Sequence, residues 1–255
     1  MACVLGYSNQ TDQSTLSGGS WNATYPITNL QTRYTAQEAR TTNAQATSSV
    51  IAIDMGSAQM IGVVALIANN LTASATVRVR GANNSSMTSP LYDSGTVSVY
   101  EHTDYATAFA PTYARYWQIN ISDTSNPAGY ISIGRLFIGS KFKPAINIIY
   151  GAGIQIESRT EVAEALGGPE YFNELENRRV WQGSWDALTD AEAYRQMFVI
   201  QKESDVSGEV YFIEDDGDTT YQDLRWFWGR MRSLNAIEWP YLDRHSVGVE
   251  IAELL

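Results

Sequence analysis

Residues 50–71, VIAIDMGSAQMIGVVALIANNL, hold two short runs, IAIDMG and MIGVVALIAN, rich in β-branched residues and split at a Gly-Ser. Such runs bounded by small and turn-forming residues read as strands. The same signature recurs on both sides of them. ATVRVRGA (75–82), GTVSVYE (95–101), RYWQINISD (115–123) and GYISIGRLFIG (129–139) are further runs, separated by the clusters GANNSSMTSP and SDTSNPAG. Alternation is clean where Val77 and Val79 face Arg78 and Arg80, and where Ile131 and Ile133 face Ser132 and Gly134. Six or more punctuated short strands predict an antiparallel sandwich or jelly roll over the first part of the chain.

The chain has 255 residues, with a formal net charge of −11 and 18% charged residues. Residues 1–142 hold 7 acidic and 7 basic side chains, leaving 21 and 10 for residues 143–255, so the second part carries the whole net charge. Five of the seven tryptophans also fall there. This change of composition predicts two domains, 1–142 and 143–255, joined at SKFKPAIN near Pro144. The acidity argues against a nucleic-acid wrapper, which needs Lys and Arg to neutralise phosphates, and against an anionic membrane surface. No window reaches a membrane-span length of apolar residues, and the start, MACVLGYSNQ, does not read as a secretory signal. One cysteine, Cys3, excludes an intramolecular disulfide framework and a Cys-based zinc cluster.

The second part mixes periods and predicts an α+β module. INIIYGAGIQIES (146–158) alternates as a strand, with Ile154 and Ile156 on one face. Leu166-Gly167-Gly168-Pro169 marks a hairpin tip or a break between short helices, the hairpin being favoured. Thr189 and Glu192 have capping-box spacing, predicting a helix over AEAYRQMFVIQ with Ala193, Met197 and Phe198 or Ile200 buried. In GEVYFIEDDGDTTYQ (208–222), Asp216-Gly217 is expected to turn between two β arms. HSVGVEIAELL closes the chain as a strand alternating Val247, Val249 and Ile251.

Chemistry is sparse. The only histidines, His102 and His245, fall in different predicted domains, and no GxSxG, GxGxxG or P-loop pattern occurs. Asp215, Asp216 and Asp218 are the densest carboxylates. Turn formation explains them best, with weak cation binding and glycoside hydrolysis as lesser readings. The chain is therefore expected to be no enzyme, with no cofactor and no metal. Aromatic faces and amides suit a sugar ring better. The candidate glycan contacts are Trp21 and Tyr25, Asn83 and Asn84, and Tyr100, His102 and Tyr105. RWFWGRMR (225–232) in an acidic module reads as packed aromatics or a subunit contact. Trp181, Trp185, Trp226, Trp228 and Arg230 are thus the candidate assembly interface.

The first part resembles a discoidin-type, galactose-binding-like domain. The markers are Trp21, Asn29, Leu30, Asp54, Gly56, Arg115, Tyr116 and Trp117, in the order opening loop, D-x-G strand and Arg-Tyr-aromatic strand, over residues of about 15 to 140. DTSNPAGYISIGRLFIG followed by RRVWQGSW, a helix and a final IAELL is similar to minor tail or baseplate proteins of tailed bacteriophages. That resemblance implies a mainly β virion protein, with an N-terminal jelly-roll sandwich and a C-terminal tail-tube-like or distal-tail-like α+β module. It would sit at a tail tip and be assembled in the host cytoplasm. The implied partners are copies of itself in a ring, the tube, hub and tape-measure proteins, and host-surface polysaccharide, with no sequence-specific nucleic acid and no membrane insertion. Acidic side chains are expected on the lumen wall, where like charge repels DNA. The alternative is a stand-alone carbohydrate-binding protein. A glycan-degrading enzyme is the remotest reading.

Overall fold

A computed structural model describes residues 2–99, 104–218 and 220–255. The chain is mainly β, every strand pairing given for it is antiparallel, and it divides into two compact units. One comprises residues 6–141 and the other residues 2–5 together with 142–255. Residues 2–5 thus belong with the second unit, which the composition did not reveal.

In the 6–141 unit the strand order runs Ser132–Phe142, Val50–Asn69, Tyr105–Ser122, Thr76–Ala82, Tyr92–Asp93. The two runs of the opening stretch are one strand, Val50–Asn69. Its first half pairs with the end of Tyr105–Ser122, as in Val50↔Asn120, and its second half pairs with both Tyr105–Ser122 and Ser132–Phe142. Register shifts between Asp54 and Gln59 and between Ile61 and Val63 interrupt it. Bulges of this kind bend a strand, which lets a single run border both layers of a sandwich. Of GTVSVYE, only Val97–Ser98 is a strand among the described residues.

The sandwich core gathers the inward residues of each alternating run, among them Ile51, Ile53, Val77, Val79, Ile119, Ile131, Ile133 and Leu136. Burying side chains of this size contributes roughly 1.5–3 kcal/mol each before the entropy cost of ordering them. Trp117 is fully buried, and a Cβ on Gly81 would stand 2.8 Å from its ring, so only glycine fits beside it. Tyr92 and Phe109 stack at 3.9 Å next to the same indole. Several residues that carry the resemblance have structural work here. Asp54 accepts the Gly56 N–H at 2.8 Å and holds Arg115 at 2.7 and 2.9 Å, while Leu30 and Trp117 lie in the core.

In the acidic unit the sheet order is Gly153–Glu157, Arg178–Leu188, Arg244–Glu253, Trp226–Met231, Glu209–Ile213, with Glu238–Tyr241 added to Arg244–Glu253. A separate two-stranded ribbon pairs Glu161–Glu164 with Glu170–Asn173, so Leu166–Pro169 is a hairpin tip. The capping box forms: the Thr189 N–H donates to Glu192 at 2.9 Å, and the Glu192 N–H donates to the Thr189 hydroxyl at 3.3 Å. The helix winds as a π turn over Ala191–Met197 and continues as α over Phe198–Ser204. It buries Ala193, Met197 and Ile200, whereas Phe198 is exposed.

Two expectations are corrected in this unit. Asp216-Gly217 does not close a tight hairpin. Ile213 pairs with Trp226, and the residues between them include a short helical turn, Gln222–Arg225. Nor do the tryptophans form a free surface. Trp181 and Trp185 are fully buried and Trp226 and Trp228 nearly so, with Trp181 packed at 4.6 Å on Phe212 and Trp185 edge-on to Phe142 at 5.5 Å. A module of this size needs large side chains to fill its centre, and alternation along Arg178–Leu188 turns both indoles inward. Arg230 is held by the carbonyls of Val206 and Met231.

At least five of the unit's carboxylates are paired with arginines within it. Glu157 pairs with Arg178 at 2.6 Å and with Arg232 at 3.0 Å, and Glu250 pairs with Arg232 at 3.1 Å. Arg225 bridges Glu214 and Asp218, and Glu253 pairs with Arg179.

Candidate functional site

The five sugar-contact candidates among the described residues do not converge. Trp21 and Tyr25 lie beyond the end of Thr15–Ser17, whose Ser17 pairs with Ala52. This is the end of the sandwich marked by Val50, Asn120 and Ser122. Asn83 and Asn84 follow Ala82, which pairs with Tyr116 opposite Asp54 at the other end. Both asparagines have local duties. Asn83 Oδ1 accepts the Arg115 N–H at 3.3 Å, and Asn84 closes its own loop through Thr88. Tyr105 is a core residue opposite Leu66, and burial pushes its phenol pKa up. Asn-rich turns satisfy their own backbone, and an alternating strand turns every second aromatic inward, which is why these three residues have partners within the fold. Tyr100 and His102 lie outside the described residues.

At the Trp21 end the fold assembles a different cluster. The short strand Ala39–Arg40 pairs with Ile133 and Ser132, which presents Arg40 beside the turn carrying Tyr130. The Asn22 N–H donates to the Arg40 carbonyl at 2.8 Å, and the Arg40 N–H donates to the Tyr25 carbonyl at 3.0 Å. The Arg40 guanidinium therefore lies 4.1 Å from the centroid of Tyr25 and 5.0 Å from that of Tyr130. Glu38 pairs with it, and that hydrogen bond raises the arginine pKa still further. The Glu38 carbonyl is in turn fixed by Asn29 Nδ2 at 2.9 Å. Trp21 bridges to Thr41, donates its indole N–H to the Gly18 carbonyl at 3.0 Å and packs partly on the core. The exposed hydroxyls of Ser20 and Thr42 are 2.9 Å apart beside it.

This arrangement offers aromatic faces, a planar fork of donors and a carboxylate, all partly open to solvent. An Arg–carboxylate pair can engage two neighbouring hydroxyls at once, donating from one member and accepting at the other. Pattern reading missed Arg40, Glu38 and Tyr130. Their partners are remote in sequence, and TAQEARTTNA has no motif.

The carboxylates of EDDGD are engaged in structure. Asp215 accepts the N–H groups of Gly217 at 3.0 Å and Ala2 at 3.3 Å, and Asp216 pairs with Lys143. Asp218 accepts the N–H groups of Thr220 and Tyr221, which lower its pKa, and it binds Arg225 at 2.9 Å. No group of three or more His, Cys, Asp or Glu that could hold a metal occurs among the described residues. Nor is any helix among them long and apolar enough to cross a membrane. Cys3 is buried, which pushes its thiol pKa up and leaves it far from a thiolate nucleophile.

No family model matches the chain, and no curated protein matches it. Several solved structures are similar over about half of it. The family 32 CBM from C. perfringens NanJ, in complex with galactose, is 16% identical and covers 54% of this chain and 99% of its own, with a TM-score of 0.43. The lectin domain of Lectinolysin complexed with Lewis B antigen is 16% identical, with coverages of 52% and 96% and a TM-score of 0.42. A Streptococcus pneumoniae fucose binding module is 14% identical, with coverages of 52% and 95% and a TM-score of 0.42.

Proposed function

We propose that the 6–141 sandwich is a carbohydrate-recognition module whose sugar contacts are Tyr25, Arg40, Tyr130 and Glu38. The observation that carries this reading is the Arg40 guanidinium lying over two tyrosine rings while paired with Glu38 at one end of the sandwich. An aromatic edge or face receives the apolar side of a pyranose, and the fixed charge pair receives a vicinal diol. A glycan array probed with the full chain and with Arg40→Ala tests it. Retention of a defined glycan class, lost in Arg40→Ala at unchanged melting temperature, is expected. Equal retention by the variant, or none by the wild type, contradicts it.

A second reading is self-assembly, for which the phage tail-tip setting comes from the sequence resemblance alone; what favours contact between copies is the Glu161–Asn173 ribbon. Val162, Tyr171, Phe172 and the tip residue Leu166 are all exposed there. A lone two-stranded ribbon is marginal in water, and clustered exposed apolar side chains mark contact surfaces. In this reading the ribbon, rather than the buried tryptophans, meets the next copy in a ring, and the sandwich reaches outward to host polysaccharide in the virion. Sedimentation velocity decides it: the wild type assembles and Phe172→Asp sediments as a monomer, whereas a wild type that stays monomeric at every concentration contradicts it.

A further inference from the structure

The acidic unit contains a furrow of about 600 Å³ lined mainly by parts of INIIYGAGIQIES and RRVWQGSW, segments to which no ligand is assigned from sequence. Its floor follows from register. Gly153 pairs with Gln182, and Ser184 pairs with Gly248, so Gly153, Gln182, Ser184 and Gly248 share one face of three adjacent strands. Gln155, two residues beyond Gly153, lies on the same face. At Gly153 nothing lies within 4 Å of where a Cβ would stand, so the backbone is bare there, whereas Asn235 Nδ2 stands 3.4 Å from that position at Gly248 and donates to the Gly248 carbonyl at 2.8 Å; glycine inside a strand often marks close approach of a ligand. Residues 149–152 form one wall, anchored by the Ile149 N–H donating to the Ser184 carbonyl at 3.1 Å. Tyr150 stands fully exposed at the lip.

No charged side chain lines the furrow. The Ser184 hydroxyl donates to Asp186 at 2.7 Å, which leaves its lone pairs as acceptors. Gln155 and Gln182 are exposed, and each carboxamide offers both donors and an acceptor. We propose that this furrow is a second binding site, for a neutral pyranose unit of a glycan, with Gln155, Gln182 and Ser184 meeting its hydroxyls and Ile149 and Tyr150 its apolar face. A charged ligand would find no counter-charge in the lining, and a purely apolar one would strip water from the amides without replacing their hydrogen bonds. The volume lies within the range of small-molecule sites. This inference stands apart from the Arg40 cluster, because it rests on residues of the other unit.

Saturation-transfer NMR on the full chain with methyl glycosides of neutral hexoses tests it. The Arg40→Ala background removes the contribution of the first site. Gly153→Val fills the furrow from a strand position with nothing within 4 Å of the added Cβ, and Gln182→Ala removes one amide while leaving the fold alone. Transfer that persists in Arg40→Ala and is lost when either furrow change is added supports the proposal. Transfer unaffected by both furrow changes, or absent for every hexose in Arg40→Ala, overturns it. So does a furrow change that alters sedimentation while leaving sugar transfer untouched, since the furrow would then be a contact between copies.

Discussion

The Arg40 guanidinium lies 4.1 Å from the centroid of the Tyr25 ring, and the Arg40 N–H donates to the Tyr25 carbonyl at 3.0 Å. Backbone and side chain together therefore hold the pair in one orientation before any ligand arrives. Lysine keeps the charge and loses both the plane and the fork of donors. Arg40→Lys is predicted to weaken glycan binding by about tenfold, the scale of a partly exposed cation–π contact plus one charge-assisted hydrogen bond. Titration calorimetry against the array-selected glycan measures it. Because Arg40 is partly solvent-exposed, thermal stability should hardly move.

Acid should loosen the sandwich through its carboxylates. Arg78 beside Asp93 pulls that carboxyl down to about 2, and Arg115 with the Gly56 N–H lowers Asp54 as well. A carboxyl depressed in the folded state contributes stability above its unfolded value, near 3.9, and loses it as the pH falls through the folded one. The melting temperature should therefore hold above about pH 5 and fall between about pH 4 and pH 2. In Arg78→Ala the fall should be shallower, since Asp93 then has less to lose. Circular dichroism melts across that range provide the comparison.

The buried tryptophans give a stability prediction that separates a core from an interface. Trp181 is fully enclosed and packs on Phe212 at 4.6 Å and on Trp185 at 6.1 Å. Trp181→Ala should cost about 3–5 kcal/mol, as truncation of a large core aromatic does. Urea unfolding of dilute monomer reads this directly. An interface tryptophan would leave the monomer's midpoint in place.

Thr189 offers a milder change. Its hydroxyl receives the Glu192 N–H at 3.3 Å and donates to the Glu192 carboxylate at 2.8 Å. Thr189→Ala should cost about 1 kcal/mol through the lost cap. Glu192 also receives the Ala145 N–H at 2.6 Å, so Glu192→Ala should cost more than Thr189→Ala in the same unfolding assay.

Local periodicity carried much of the fold. Val77 and Val79 turn inward as their alternation with Arg78 and Arg80 requires, and Val247, Val249 and Ile251 are buried along the last strand. Thr189 and Glu192 are close enough in sequence for their cap to be legible. Features that depend on distant partners were not. Joining residues 50–69 into one strand needs bulges that answer to two neighbouring strands, and the tryptophans needed knowledge of which face the sheet buries. The Arg40 cluster joins positions 25, 38, 40 and 130, so no spacing rule brings it into view. Of the residues read as sugar contacts, Tyr25 belongs to that cluster and Trp21 borders it, because their loop is fastened by the backbone of Arg40 and Thr41.

The most direct test of the account is a calorimetric titration of one array-selected glycan into the full chain and into Tyr25→Ala, Tyr130→Ala and Arg40→Ala. All three variants should melt with the wild type and lose measurable heat of binding. Undiminished binding by all three, with the fold intact, would contradict the claim that this end of the sandwich recognises sugar.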